Sequence, residues 1–311
     1  MYYSIVNTNS RSGKAAKIWQ EVQAELDRSG VEYEAYISEY QGHTKVLAGE
    51  LTAAPRHDGE NLIIVAVGGD GTLNEVVDGL HVSHHITLGY IPTGSGNDFA
   101  RGMKLSKKPL KALHHVLHPR YFRFLDYGVL SCDTCDINHR RFVVSTGIGF
   151  DADVCRFING SKLKKFLCKI HLSKLSYIVL GLRALMSMKS SDGYLVLDSA
   201  KKVNLKDVAF VATHIQKSEG GGFRFAPKAD PCDGQFEVCV VSHARRLQMI
   251  PVLALGLLGL HTKSKLVRMY QCHELSIHMD RPSTVHADGE VLGNYTDVSI
   301  NCRTKQLRFI V

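Results

Sequence analysis

At 311 residues, with 44% hydrophobic and 22% charged side chains, the chain has the apolar material for a folded core and more length than one small domain needs, so two domains are expected. No repeat or low-complexity tract is present, and the longest apolar run, Ile250 to Leu260, is far short of the ~20 residues a membrane-spanning helix requires. A formal charge of +8 suits an anionic partner, and eight cysteines in no disulfide pattern, behind a start without signal-peptide features, suit a reducing cytoplasm.

In chain order, "YYSIVN" reads as a strand, after which Ile18, Val22 and Leu26 recur at helical spacing until Gly30 supplies a stop. "VEYEAYI" follows as a strand, "HTKVLAGEL" as a helix, "NLIIVAV" as a buried strand, "TLNEVVDGL" as a helix and "HITLGYI" as a strand. Such alternation builds a parallel sheet with helices on both faces, so residues 1–125 are expected to form a three-layer α/β domain.

Past Asp126 the pattern changes to period two: "YGVLSC", "RFVVSTGI", "YLVLDS", "DVAFVATHI", "QFEVCVVSH", "ELSIHM" and "DVSINC". Short strands between turn residues indicate antiparallel β structure, and residues 126–304 are expected to form a β-sandwich with inserted helices at Ser161 to Lys189 and Arg245 to Leu260. The last strand, "LRFIV" near 305–311, is free to return to the first domain.

Two basic runs stand out, Arg101, Lys104, Lys107, Lys108 and Lys111, then Lys162, Lys164, Lys165, Lys169 and Lys174. Each alone reads as a solvated helix face, and no nucleic-acid motif accompanies them. "CDTC" at Cys132 to Cys135 is half of a zinc site with nothing nearby to complete it.

The chemistry gathers in the turns that end the parallel strands. After "IIVAV" the sequence "GGDGTLNEVV" has glycines at 68, 69 and 71 that let backbone approach a ligand, followed by a helix start whose free N–H groups suit phosphate. Its spacing fits neither the dinucleotide fingerprint nor Walker A, and a hairpin would need a second strand where a helix is read. The next strand ends in "TGSGNDFAR" and the first in "NTNSRSGK", so three polar loops share the carboxyl edge of one sheet, where such sheets bind ligands.

These motifs, with "GGGFRFAPKADPCDG" at 220–234 and "DGE" at 288–290, make the chain resemble, nearly end to end, the bacterial lipid kinases of the diacylglycerol kinase catalytic-domain family, relatives of NAD kinases and sphingosine kinases. The resemblance implies ATP held between the domains by Asn7, Thr8, Asn9, Ser10, Arg11, Ser38, Gly69, Asp70, Gly71, Thr72, Leu73, Asn74, Glu75, Ser95, Asn97 and Asp98. Thr8 stands where that family has proline, and Ser38 and Ser95 where it has threonine. It implies a catalytic set of Glu290, Asp288 and Asp70, with Glu290 taking the proton of the acceptor hydroxyl. Magnesium is implied at Asp233 with the carbonyls of Asp230 and Gln235, linked through water to Asp70 and Asp98. "HADGEV" read without the resemblance is equally an Asp-Gly hairpin.

Apolar side chains of the inserted helices, Tyr177, Ile178, Leu180, Leu182, Leu185 and Met186 and the run Ile250 to Leu260, read as ordinary core one by one, but they match places where the family has hydrophobic helices. With Lys162, Lys164, Lys165, Arg245 and Arg246 beside them, they give an expected peripheral contact with the anionic inner face of the membrane. The leading expectation is an ATP- and magnesium-dependent kinase of diacylglycerol or a similar lipid, with a homodimer permitted and no nucleic-acid partner. An NAD kinase and a catalytically silent lipid- or nucleotide-binding module are the alternatives.

Overall fold

A computed structural model describes residues 1–9, 14–53, 61–132, 139–159 and 173–311, with backbone alone for 173–179. Ser10, Arg11, the lysines at 162, 164, 165 and 169 and most of the "CDTC" motif lie outside the described residues, as do the side chains of Lys174, Tyr177 and Ile178.

The first domain runs β1 (Tyr2–Val6), α1 (Lys14–Ser29), β2 (Tyr33–Ile37), α2 (His43–Ala53), β3 (Leu62–Gly68), α3 (Asp70–Gly79), β4 (Ile86–Pro92), α4 (Asp98–Gly102) and α5 (Pro109–Leu117). Its strands pair in parallel in the order β2-β1-β3-β4. Successive side chains of a strand point to opposite faces, and β3 shows what that does here. Ile64 and Ala66 join a core with Leu73, Val76 and Phe99 of α3 and α4, whereas Val65 and Val67 join one with Trp19, Val22 and Leu26 of α1 and Val116 of α5. The result is three layers, with the helix starts of α3 and α4 at the carboxyl edge of the sheet.

The second part runs β5 (Phe122–Cys132), β6 (Arg140–Phe142), β7 (Ser145–Gly149), α6 (Phe150–Asn159), α7 (Ser173–Ser187), β8 (Ser191–Leu197), β9 (Lys201–His214), β10 (Phe236–Ser242), α8 (Arg246–Leu258), β11 (Val267–Cys272), β12 (Glu274–Ala287) and β13 (Glu290–Ile310). Its strands pair antiparallel around one core that holds Phe142, Val211, Phe236, Val238, Leu275 and Val285. Alternation again divides β10: Val238 and Val240 face that core, while Cys239 and Val241 face Phe150 of α6, Leu185 of α7 and Met249 and Val252 of α8.

β13 ties the halves together. Near its start it pairs with β12, along its length it pairs antiparallel with β5, and at its end Arg308 and Phe309 pair in parallel with Thr87 and Leu88 of β4. The terminal "LRFIV" thus does return to the first sheet, and all strands form one continuous hydrogen-bonded network.

Among the described elements α4, α6 and β11 have no counterpart in the sequence reading, and α5 overlaps only the end of the basic run read as a solvated helix face. α4 has only five residues, too few to show a helical period, and α5 buries Ala112, Leu113 and Val116 inside a run that reads as lysine-rich surface. In the opposite direction, Pro251 does not end α8, because it lies on the exposed side where a lost hydrogen bond is replaced by water.

Candidate active site

The two glycine loops meet backbone to backbone. A Cβ on Gly94 would lie 2.6 Å from the Cα of Gly69, and one on Gly68 would run into the Thr72 side chain. Glycine is needed at these positions for proximity, because any side chain would part the loops. Thr72 in turn accepts a hydrogen bond from Asn7 Nδ2 at 3.1 Å, and Asn7 Oδ1 accepts from the amide of Asn9, so the β1 loop is tied to the start of α3. Ser38 is buried at the end of β2, with its amide on Val6 O, while Ser95 is exposed. The first intrahelical bond of α3 is Leu73 N to Gly69 O, so the amides just before Leu73 have no helix acceptor.

Asp70 faces sideways. Its carboxylate accepts from the amides of Asp98 at 3.0 Å and Phe99 at 3.1 Å, bridging the loops after β3 and β4. Burial raises its pKa, while these amides and Arg101 act against that. Asp98 continues the chain of contacts: one oxygen pairs with Arg101 and the other accepts from the amide of Gly221 at 2.8 Å, in the "GGG" turn of the second part. Asn97 sits left-handed at φ 49° and donates to Gly94 O. Glu75 is spent on α2, accepting from Gly42 N and Thr44 Oγ1.

The "DGE" turn packs against α3, where Asn74 donates to Asp288. Asp288 at φ 46° and Gly289 at φ 83° make a two-residue connection between β12 and β13, so the hairpin reading and the motif reading describe the same residues. The Asp288 carboxylate accepts four N–H groups, from Val143, Val144, Ser145 and Asn74, all at 2.8 to 2.9 Å. Burial raises its pKa, and the amides oppose the rise. No lone pair is left over in that ring of donors for proton transfer, so Asp288 fixes the turn.

Glu290 differs. Its Oε2 accepts from Arg140 Nη2 at 2.5 Å, its side chain is 42% exposed, and among the described residues Oε1 has no hydrogen-bond partner. The same Arg140 binds Asn74 Oδ1 at 2.7 Å and Asp78 Oδ2 at 3.0 Å, both on α3. Lys45 of α2 reaches Asp78 Oδ2 at 2.6 Å, and Arg141 covers the carbonyls of Val77 and Leu80 at the end of α3. One helix, α3, therefore carries the phosphate-type loop at its start and the anchor for Glu290 along its side. Arg140, Asp78 and Lys45 were not singled out from sequence; the signal available was "HRRF" opening a strand, with two adjacent cations where one face is buried.

The loop at 230–235 offers carboxylate and carbonyl oxygens, with the free thiol of Cys232 between them. Asp233 Oδ1 accepts from Gln235 N and Asp230 Oδ1 from Cys232 N, while both residues remain exposed. Asp126, 2% exposed, holds the loop from below through Gly234 N at 2.6 Å and also takes Lys305 N at 2.7 Å. Carboxylate and carbonyl oxygen at a partly open loop fit a hard cation such as magnesium. Asp70 and Asp98 both have direct protein partners.

Comparison with known proteins agrees with this arrangement. Residues 2–124 match the family model described as "Diacylglycerol kinase catalytic domain", and residues 143–311 match the "YegS C-terminal NAD kinase beta sandwich-like domain". The chain belongs to the diacylglycerol kinase family of lipid kinases. A Bacillus subtilis protein named "Putative lipid kinase YtlR" is 29% identical over 94% of each chain, and the "Diacylglycerol kinase" of the same organism is 28% identical over 81% of this chain and 79% of that one. In fold, a "putative diacylglycerol kinase" of Bacillus anthracis superposes with a TM-score of 0.77 at 19% identity, covering 99% of this chain and 94% of that one. An NAD kinase from Archaeoglobus fulgidus in complex with ATP gives 0.51 at 13% identity, covering 100% and 94%.

Proposed function

We propose that this member of the family transfers the γ-phosphoryl group of ATP to a hydroxyl of a membrane lipid, with diacylglycerol the leading acceptor and phosphatidic acid the product. The observation that carries this reading is Glu290: one oxygen is pinned by Arg140, which also binds Asn74 on the helix that follows the glycine loop, while the other has no hydrogen-bond partner among the described residues and the side chain is 42% exposed. A carboxylate so held can accept the hydroxyl proton as the oxygen attacks phosphorus. Free amides at the start of α3 and the loops tied by Asp70, Asn7 and Asp98 supply the phosphate side. Asp70 and Asp288 serve here as positioning residues, since their oxygens are taken by backbone amides and, for Asp288, the Asn74 side chain as well. Ser38, Ser95 and the β1 loop complete the nucleotide side, and Asp233 with the carbonyls of Asp230 and Gln235 would hold magnesium, which neutralises phosphate charge when bound.

The acceptor reaches this site from a membrane. α8 turns Leu247 (78% exposed), Ile250, Leu257 and Leu258 (65%) outward along one side while Met249 and Val252 pack inward. Leu182 and Met186 of the neighbouring α7 are exposed as well, and Arg245 and Arg246 stand at the start of α8. Apolar side chains at helical spacing with cations beside them suit insertion into the headgroup region of an anionic membrane. This reading puts the protein at the cytoplasmic face, where ATP is supplied.

The test is transfer of label from γ-labelled ATP to vesicles of anionic phospholipid containing diacylglycerol, with NAD offered in parallel. Label in phosphatidic acid is expected, reduced about 10²- to 10⁴-fold by Glu290→Gln in a folded protein. Label on NAD with none in lipid would replace this reading by the NAD kinase one, and full activity of the variant would remove Glu290 from the mechanism.

A further inference from the structure

Behind the "DGE" turn, and joined to it through Ser145 and Gly289, a second cluster of ionisable side chains is buried in the β-rich part. Asp151 in the first turn of α6, Glu219 just before the "GGG" turn and His286 on β12 bring one donor atom each to within 4.8 Å of one another. Gly147 on β7 makes the room, since a Cβ there would run into the Asp151 carboxylate and lie 2.9 Å from His286 Nε2. A fourth side chain is aimed at the same place. His214, 0% exposed at the end of β9, has no hydrogen bond to either ring nitrogen, and its Nε2 is 3.7 Å from Glu219 Oε1, which also has no hydrogen-bond partner. Glu219 Oε2 is taken by the Ser145 hydroxyl. Buried polar atoms are favourable only when paired, so a ligand that partnered these would stabilise the cluster.

The donor atoms point to a cation. His286 Nδ1 accepts the amide N–H of Gly289 at 3.1 Å, which leaves its hydrogen on Nε2, 2.7 Å from Asp151 Oδ2. Asp151 and Glu219 bring two carboxyl groups to the same point, and a divalent ion bound among the three would displace the protons held there. Two carboxylates and imidazole nitrogen are a donor set for zinc, manganese or iron, while magnesium takes oxygen ligands.

We propose that Asp151, Glu219 and His286, with His214 beside them, form a buried site for a divalent transition-metal ion such as zinc or manganese. At bond lengths of about 2.0–2.2 Å a four-coordinate ion places its ligands roughly 3.4 Å apart, so the Asp151–His286 pair, now at 2.7 Å, opens while wider pairs within the 4.8 Å limit close. The Nε2 hydrogen of His286 moves to Nδ1 when Nε2 binds the metal, and the Gly289 amide must then turn away. Gly289 lies between Asp288 and Glu290, so occupation of this site reaches the "DGE" turn. The site is distinct from the loop at Asp230 and Asp233, which carries Cys232 and no histidine.

The test needs no kinase activity and so stands apart from the proposed reaction. Protein produced with zinc or manganese in the medium is dialysed and its metal content measured by mass spectrometry, for the wild type, Glu219→Gln and Asp233→Asn. About one equivalent is expected in the wild type and in Asp233→Asn, falling by roughly tenfold or more in Glu219→Gln. A metal-free wild type overturns the proposal, as does a Glu219→Gln variant that retains the ion. If that variant does not fold, X-ray absorption on zinc-loaded wild type decides: a shell of nitrogen and oxygen alone is expected, and sulfur in the shell overturns it.

Discussion

At the scale of single residues, the site is built from carboxylates with different degrees of freedom. Asp288 is enclosed by four N–H donors and Glu290 keeps one oxygen free, although the two are separated only by Gly289. Asp288→Asn is expected to destabilise the protein by about 1–3 kcal/mol, because an amide NH2 would face donors where an acceptor is required. Urea unfolding that leaves the variant within experimental error of wild type would refute that account. The "DGE" motif was legible in sequence, and so was its hairpin. Arg140 was not, because its three acceptors, Asn74, Asp78 and Glu290, lie 62 to 150 residues away from it in the chain.

At the scale of elements, the long helices and buried strands could be read from periodicity, while the orientation of α8 could not. Its sequence is apolar nearly all round, and only packing shows that Met249 and Val252 are core while Leu247 and Leu258 face outward. The pair Leu247→Ser and Leu258→Ser is therefore expected to weaken sedimentation with anionic vesicles and leave the melting temperature unchanged. A large drop in melting temperature would mean that these side chains are core. Just past α8, His261 is 0% exposed; burial lowers its pKa from 6.5, with a hydrogen bond to Phe225 O in partial opposition. A folded-state pKa below the unfolded one means that the unfolded chain binds the proton more readily. Stability from this group is thus present above pH ~6.5 and lost as the pH falls below it. His261→Gln should show a smaller loss of melting temperature between pH 7.5 and pH 5.5 than wild type does; an equal loss would assign the acid sensitivity elsewhere.

At the scale of the whole molecule, β13 and β5 belong to both halves, and α3 joins the glycine loop to the anchor of Glu290. Elements shared in this way couple the unfolding of the parts they join. One calorimetric transition is expected, with van't Hoff and calorimetric enthalpies equal, and two resolved transitions would show that the halves unfold independently.

The sequence by itself determined the order of the long helices and buried strands, the three loops at one sheet edge and the motifs that identify the family, because each depends on residues close together in the chain. Only the tertiary structure decided which acids hold the backbone and which is free to act, since hydrogen-bond saturation depends on donors brought from distant segments. It also decided that Asp151, Glu219, His214 and His286 meet, out of four separate stretches with no shared spacing. The "GGDGT" loop illustrates the division: glycine and helix-start chemistry mark it in sequence, while the sideways grip of Asp70 on the next loop appears only when the strands lie side by side.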